Sequence, residues 1–363
     1  VSVRVGVVGT SWWADAMYLP ALRALDNVTV VGVAGRDQQR TADFATRWEI
    51  AQAFTDADQL MDQDLDAVLI LAGNEAHYRL TMAALERGLD VLCEKPLGRS
   101  TSEATEMAAL AAATNTITMV PFTYRYMPIF QHVKQLIDDG YLGEPRHLGL
   151  RYFTGFAREG EYAWRFDNSE AGSGVIGDLG SHWLYLARWM FGEIVALGAT
   201  SSRFVPRADR PDGRPYERGE DSAVLTARFE SGAYATLQVS AVCWEGSGFG
   251  QTHQLDAHGR DGTLYASCDW QTVQEVKGLK AGDSGPPKTL PIPDSIWGNA
   301  RRDTVHNTYR DVFRQEGAMV GDFVRSVQSR RPCTPNFDDG LRVQQLCDVA
   351  VQSAGSDGAM MPV

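Results

Sequence analysis

The chain has 363 residues, with 34 Lys plus Arg against 46 Asp plus Glu and a formal net charge of −12. That length exceeds one ordinary core and points to two domains, and a composition 44% hydrophobic and 22% charged excludes extensive disorder. The acidic balance argues against nucleic acid and anionic membranes as main partners, while leaving room for a local basic pocket.

Strand and helix signals alternate along the first third. Val3–Val8 reads as a buried strand, followed by a helix from Ala14 to Leu25. Val28–Ala34 is the next apolar run, and a helical stretch covers Gln38–Trp48. Asp66–Leu71 is a third strand, then come a helix over Ala76–Arg87, a strand at Leu89–Cys93, a helix over Thr101–Ala113 and a strand at Ile117–Val120. Repeated strand–helix units imply a doubly wound parallel sheet covered on both faces. After Tyr124 the pattern changes. A helix over Ile129–Asp138 precedes strand-like runs at His147–Phe153, Ala223–Phe229, Ala233–Val242 and Gln251–Ala257, with Glu230-Ser231-Gly232 as a hairpin turn. These runs predict an α+β domain on a large open, mostly antiparallel sheet. Pro206–Gly219 and Gly278–Pro287 read as exposed loops, and Thr308–Ser329 and Asp338–Ser353 as helices. The expected boundaries are 1–123 for a dinucleotide-binding domain and 124–363 for a substrate-binding and oligomerisation domain.

Five widely spaced cysteines without a CxxC pair imply reduced, mostly buried thiols. No apolar run is long enough to span a bilayer, and the opening strand lacks the charged lead of a signal peptide, so the cytoplasm is the expected location.

The segment Val5-Gly6-Val7-Val8-Gly9-Thr10-Ser11-Trp12-Trp13-Ala14 joins the first strand to the first helix. A pyrophosphate needs a tight turn there and the positive potential of a helix start. Gly9 supplies the turn, while Thr10, Ser11, Trp12 and Trp13 follow it. In a Rossmann domain the second strand usually ends in an acidic residue that holds the ribose 2′-hydroxyl. Here Gly35 takes that place and Arg36 follows, which suits a 2′-phosphate. NADP is therefore expected ahead of NAD.

Three further segments carry chemistry. Cys93-Glu94-Lys95-Pro96-Leu97 stands at the end of a parallel strand, where ligands bind in such sheets. Ala72-Gly73-Asn74-Glu75-Ala76-His77 follows the third strand, so Ala72, Asn74 and His77 join Glu94, Lys95 and Pro96 as candidate cofactor contacts. Gly172-Ser173-Gly174-Val175-Ile176-Gly177-Asp178-Leu179-Gly180-Ser181-His182 leads into a helix on which Asp178, His182 and Tyr185 share one face at spacings i, i+4, i+7. Trp183, Leu186, Ala187 and Met190 form a separate apolar face. Exchange between alcohol and ketone requires a proton to move as hydride moves. His182 can carry it near neutral pH, Lys95 can stabilise the reacting oxygen, and Asp178 can orient the substrate or hold the other two.

These segments, with Tyr124-Arg125-Tyr126, Gly140-Tyr141-Leu142-Gly143-Glu144 and Trp164-Arg165, resemble the Gfo/Idh/MocA family of glucose–fructose oxidoreductases and inositol dehydrogenases. The resemblance covers essentially the whole chain. It implies a Rossmann domain, a second domain with an open sheet, and NAD(P)-linked chemistry on sugars or polyols. It also implies dimers or tetramers, and a lysine and a histidine that act much as proposed for Lys95 and His182. Candidate substrate contacts are Lys95, Arg125, Tyr126, Tyr152, Trp164, Arg165, Asp178, His182 and Tyr185. The sequence departs from the family pattern in having Ser11 for a glycine, Ala72-Gly73 where Thr-Pro is common, and Tyr185 for a frequent aspartate. The last departure argues against simple transfer of inositol specificity. No metal-ligand spacing is present, so the chemistry calls for no metal. His132, His147, His253, His258 and His306 receive no role.

The reading is thus an oxidoreductase acting on a secondary alcohol or ketone. Two rivals stand beside it: a glycosidase that uses a retained nicotinamide cofactor for transient oxidation, and a non-catalytic nicotinamide-sensing protein. Both Lys95 and His182 are present, which disfavours the latter.

Overall fold

The computed structural model describes residues 2–246 and 250–363. The chain divides into two compact units: Val1–Thr123 with Val312–Gln344, and Tyr124–Asp311 with Gln345–Val363.

In the first unit, β1 (Val3–Val8), β2 (Val28–Ala34), β3 (Gln52–Phe54), β4 (Ala67–Ile70), β5 (Asp90–Cys93) and β6 (Thr118–Met119) form a six-stranded sheet ordered β3-β2-β1-β4-β5-β6. Every pairing is parallel. The central strands are near-continuous apolar runs because both faces are buried; all four residues of β4 and of β5 are buried. The connecting helices are α1 (Leu19–Arg23), α2 (Gln38–Arg47), α3 (Ala57–Met61), α4 (Asn74–Glu86) and α5 (Thr101–Thr114). Asp37 caps α2 by accepting from the Arg40 N–H, and Ser100 caps α5 by accepting from the Glu103 N–H. The strand order reverses between β1 and β4, which places the Gly9 turn at the switch point where such sheets bind ligands.

The expected helix Ala14–Leu25 is not uniformly α. Its first part, Ala14–Tyr18, is a wider π-type turn that runs into α1. Hydrophobic spacing alone does not separate the two, because Met17, Tyr18, Leu19, Ala21 and Leu22 are buried in either form.

The second unit contains α6 (Pro128–Asp138), β7 (Pro145–Thr154), α7 (Asn168–Ala171), α8 (Ser181–Phe191), β8 (Ile194–Ser202), β9 (Ser222–Phe229), β10 (Tyr234–Ser240), β11 (Gln251–Gly259), β12 (Gly262–Cys268), β13 (Gln274–Lys280), β14 (Lys288–Thr289) and α9 (Asp294–Trp297). Beyond them lie α10 (Val305–Phe313), α11 (Met319–Ser329), α12 (Phe337–Ala354) and β15 (Met361–Pro362). Nine strands form one sheet ordered β14-β13-β12-β11-β7-β10-β9-β8-β15, antiparallel except for the β7–β10 pair. Helices α6 and α8 pack on one face. The in–out alternation along β9 and most of β10 follows from one covered and one open face. Glu230-Ser231-Gly232 makes the expected β9–β10 turn, closed by the Phe229 N–H donating to the Ala233 carbonyl at 2.8 Å.

Three sequence expectations need correction. Gly278–Pro287 is not wholly a loop, because its first residues complete β13. Thr308–Ser329 is two helices, α10 and α11, rather than one. Val312–Gln344, expected in the second domain, belongs to the first unit, where α11 packs against α1 and β1. The segment Pro206–Gly219 has the expected irregular backbone, yet it is anchored. Arg207 is buried over the Phe166 ring and 3.7 Å from Asp221, and Arg210 pairs with the buried Asp167. The five cysteines are free thiols, all buried except the partly exposed Cys243. Among the described residues, no helix is long and apolar enough to cross a membrane.

Candidate active site

In the first unit, β1 ends at Gly9, whose φ is +119°. A Cβ there would come within 2.6 Å of the Leu71 carbonyl oxygen, so only glycine lets the turn pass this close to the end of β4. The Gly9 N–H donates to the Ala34 carbonyl at 2.9 Å, which ties the turn to β2. Ser11 stands where a glycine is usual and has a visible task. Its hydroxyl accepts from the Ala14 N–H at 3.2 Å and its carbonyl accepts from the Asp15 N–H at 3.0 Å, capping the first helical turn. Trp12 is 66% exposed, whereas Trp13 turns inward. A glycine cradle opening onto a capped helix start fits a dinucleotide pyrophosphate.

At the end of β2, Arg36 reaches into solvent with its side chain 93% exposed and pairs with Glu75 at 3.4 Å. Thr10 packs under Gly35 together with Thr41. The basic side chain expected to take a 2′-phosphate therefore already faces a carboxylate from the start of α4.

At the end of β5, Glu94 is a junction. Its Oε1 accepts from Trp13 Nε1 at 2.8 Å and from the Tyr18 hydroxyl at 2.6 Å, while its Oε2 accepts from the Lys95 N–H at 3.0 Å. Phe313 sets its ring edge-on to both Trp13 and Tyr18. The Lys95–Pro96 peptide is cis. His77, fully buried on α4, spans two loops: Nδ1 lies 2.9 Å from the Pro96 carbonyl oxygen and Nε2 lies 3.2 Å from that of Ala72. Burial opposes a charge on this ring. The Cys93 sulfur and the two carbonyls outweigh it and raise its pKa to about 9. Asn74, the first residue of α4, is buried beside this loop pair. Of the cofactor candidates, Glu94 and His77 thus act as internal struts for the turn, for Lys95 and for Pro96.

In the second unit, the glycine-rich stretch is strapped to Glu220. The Val175 N–H donates to its backbone carbonyl and the Ile176 N–H to its carboxylate, each at 2.9 Å. A Cβ at Gly174 would lie 2.0 Å from that carbonyl oxygen. Burial raises the pKa of Glu220. Ile176–Gly180 forms a π-type turn that continues into α8, so Asp178 sits on a wider turn than the i, i+4, i+7 argument assumed. Asp178 lies 3.4 Å from Arg165, whose guanidinium stacks over Trp164. His182 is buried, with its ring 4.5 Å from that of Tyr124. The hydroxyls of Tyr124 and Tyr152 are 2.9 Å apart. Burial raises both phenol pKa values well above the ordinary range, with the Asp178 carboxylate adding to the rise at Tyr152, so both remain protonated at neutral pH.

Tyr152 thus shares its hydroxyl with Tyr124 and feels the charges of Asp178 and Arg165, and Tyr124 meets the His182 ring; sequence reasoning noted Tyr124 within a segment but gave it no role. Tyr185 and Arg125 form a second, adjoining set. Arg125 donates to the Tyr185 hydroxyl and stacks over Trp189, and its carbonyl accepts from Gln131 at 2.6 Å. Tyr126, next to it, is partly exposed. Trp183 is fully buried, as its place on the apolar face implied. His253, which sequence reasoning gave no role, has its buried ring 4.3 Å from that of Tyr152 and accepts from Trp270 Nε1. Burial holds the His253 pKa well below the usual histidine value, so it is a neutral core residue. Neither Tyr18 nor Glu220 carried a signal in its local pattern.

A family model described as an oxidoreductase family with an NAD-binding Rossmann fold matches residues 3–122, and one described as the GFO/IDH/MocA C-terminal domain matches residues 130–265. Levoglucosan dehydrogenase of Pseudarthrobacter phenanthrenivorans is 23% identical over 351 residues, covering 90% of this chain and 87% of its own. Inositol 2-dehydrogenase 4 of Saccharopolyspora erythraea is 28% identical over 287 residues, covering 78% of this chain and 79% of its own. A solved structure of levoglucosan dehydrogenase in complex with NADH and levoglucosan has the same fold, with a TM-score of 0.86 at 22% identity and full coverage of both chains. With a parallel sheet turning at Gly9, a braced Glu94-Lys95-Pro96 loop and a glycine-strapped Asp178–His182 helix, the chain belongs to the Gfo/Idh/MocA family of NAD-binding oxidoreductases.

Proposed function

We propose that this oxidoreductase interconverts a secondary alcohol and its ketone on a sugar, polyol or related cyclic compound. The observation that carries the reading is the double bracing of Lys95: Glu94 fixes its backbone N–H, and His77 holds the Pro96 carbonyl beside it. A lysine held this firmly at the end of a parallel strand is suited to aim an ammonium at one oxygen.

The bound nicotinamide would supply the hydride acceptor or donor. The turn from Gly9 to Trp13 would hold its pyrophosphate, and Ala72, Asn74 and Pro96 would line its path. Lys95 stabilises charge on the reacting oxygen, and His182 exchanges the proton. Asp178, paired with Arg165, orients substrate hydroxyls. Tyr152 donates a hydrogen bond from its neutral phenol, and the Trp164 face packs on C–H surface. Arg125 and Tyr185 secure one another, and with Tyr126 they shape the pocket.

For the cofactor, the Arg36–Glu75 pair supports NAD(H) ahead of NADP(H). The Glu75 carboxylate neutralises the arginine, offers an acceptor to ribose hydroxyls and repels a 2′-phosphate. The open face of the nine-stranded sheet supports association as a homodimer or homotetramer.

The test is a screen of sugars, polyols and ketosugars with NAD(H) and NADP(H), followed by nicotinamide absorbance. Turnover with at least one such substrate is expected. Cleavage of glycosides without net absorbance change would replace this reading with the glycosidase one. Cofactor binding with no turnover on either panel would replace it with a sensing role.

A further inference from the structure

The open face of the second unit's sheet carries a cluster that the oxidoreductase chemistry does not use. His147 on β7 and His258 on β11 are directly cross-strand, and Asp256 on β11 lies opposite Gly149. All three side chains point to the same open face and are partly exposed. We propose that His147, Asp256 and His258 form a binding site for a transition-metal dication of the Zn²⁺ type.

One carboxylate oxygen, Asp256 Oδ2, lies 3.6 Å from His147 Nδ1 and 3.2 Å from His258 Nε2. Donor atoms around a tetrahedral zinc ion stand about 3.4 Å apart, given metal–ligand bonds of about 2.0–2.2 Å. The three donor atoms here all lie within 4.8 Å of one another. The remaining ring nitrogens are turned away toward hydroxyls. His147 Nε2 is 3.4 Å from Thr236 Oγ1, and His258 Nδ1 is 3.1 Å from Thr263 Oγ1. Each ring can therefore place its N–H on a threonine and keep its inner nitrogen as a lone pair aimed at the cluster, an outer-shell arrangement that also serves to orient metal-bound histidines.

The charge balance around Asp256 also favours a cation. Among the described residues, Asp256 has no Lys or Arg ion-pair partner; the two histidines are its only basic neighbours. The carboxylate also occupies space that any side chain at position 149 would take, since a Cβ on Gly149 would lie 2.4 Å from Asp256 Oδ1. Two imidazoles and one carboxylate favour zinc, nickel, cobalt or copper over the oxygen-seeking magnesium and calcium. Three protein ligands leave a coordination position for water, or for a donor from a second copy where this sheet face mediates association. Tyr234 and Tyr265 stand against the outer sides of His147 and His258, with ring centroids 4.9 and 5.9 Å away. The ligands come from two strands far apart in sequence, so no spacing pattern exposes the set.

The test uses the full-length protein, stripped with a chelator and then titrated with zinc chloride alone against a competing chromophoric chelator. One zinc per chain is expected, bound at micromolar concentration or tighter. His147→Ala and His258→Ala should each weaken binding at least about tenfold, and Thr263→Val, which keeps all three ligands, should weaken it by roughly tenfold. Zinc should raise the melting temperature of the wild-type chain and leave that of a His147→Ala/His258→Ala variant unchanged. Circular dichroism should match between the two before metal is added. A wild-type chain that takes up no zinc overturns the proposal, as does a double variant that binds it with wild-type affinity.

Discussion

His77 Nδ1 lies 2.9 Å from the carbonyl oxygen of Pro96, the residue that follows Lys95. Its other nitrogen faces the Ala72 carbonyl, so the ring satisfies both oxygens only when it carries two protons.

This predicts a pH signature. The folded pKa of about 9 stands above the ordinary histidine value of 6.5, so the stabilisation is fully present below pH 6.5 and is lost as pH rises toward 9. Its size is on the order of 1–3 kcal/mol. Thermal melts of wild type and His77→Gln should differ most at the acid end of that window and converge above it. Parallel curves for the two proteins would remove the protonated ring from the account.

The Arg36–Glu75 pair predicts a shift in cofactor choice. Glu75→Gln removes the repulsion and frees the arginine. The ratio of NADP to NAD dissociation constants should then fall by roughly three- to tenfold. Fluorescence titrations with the two reduced cofactors measure it. Arg36 is largely in solvent, so the pair contributes little and folding stability should change little.

His182→Ala separates chemistry from binding. Turnover should fall at least about a hundredfold, in line with loss of a general acid–base group. The NADH dissociation constant should remain nearly the same, because His182 belongs to the second unit and the cofactor cradle to the first. Stopped-flow turnover with equilibrium cofactor binding reads both.

Gly174→Ala tests the strap to Glu220. A Cβ cannot stand 2.0 Å from a carbonyl oxygen, so either the glycine-rich loop or the segment at Glu220 must move. A loss of at least about 2 kcal/mol in denaturant melts is expected, together with lower turnover. Gly88→Ala, at a position where an added Cβ meets nothing but has to accept a φ of +72°, should cost less and leave turnover intact.

What was legible in the sequence follows from where each signal resides. Buried parallel strands advertise themselves as unbroken apolar runs, so Val3–Val8, Ala67–Ile70 and Asp90–Cys93 were found within a residue or two. Lys95, Asp178 and His182 were singled out because they sit in short segments of distinctive composition. β8 and β13 were hidden: the first ends in a polar Thr200–Ser202 stretch, and the second carries Lys277, Gly278 and Lys280, which read as loop. The return of Val312–Gln344 to the first unit has no local signature, because an amphipathic helix does not name the surface it covers. The Arg36 expectation failed to anticipate Glu75 for the same reason: ion pairs join positions that only the fold makes neighbours.

The shared carboxylate of Glu94 has a consequence for engineering. It couples the start of the first helix, through Trp13 and Tyr18, to the backbone of Lys95. Grafting a relative's phosphate loop into this chain without its matching acidic partner would detune the lysine. Trp13, Tyr18, Glu94 and Phe313 are best exchanged as one cassette, or left alone.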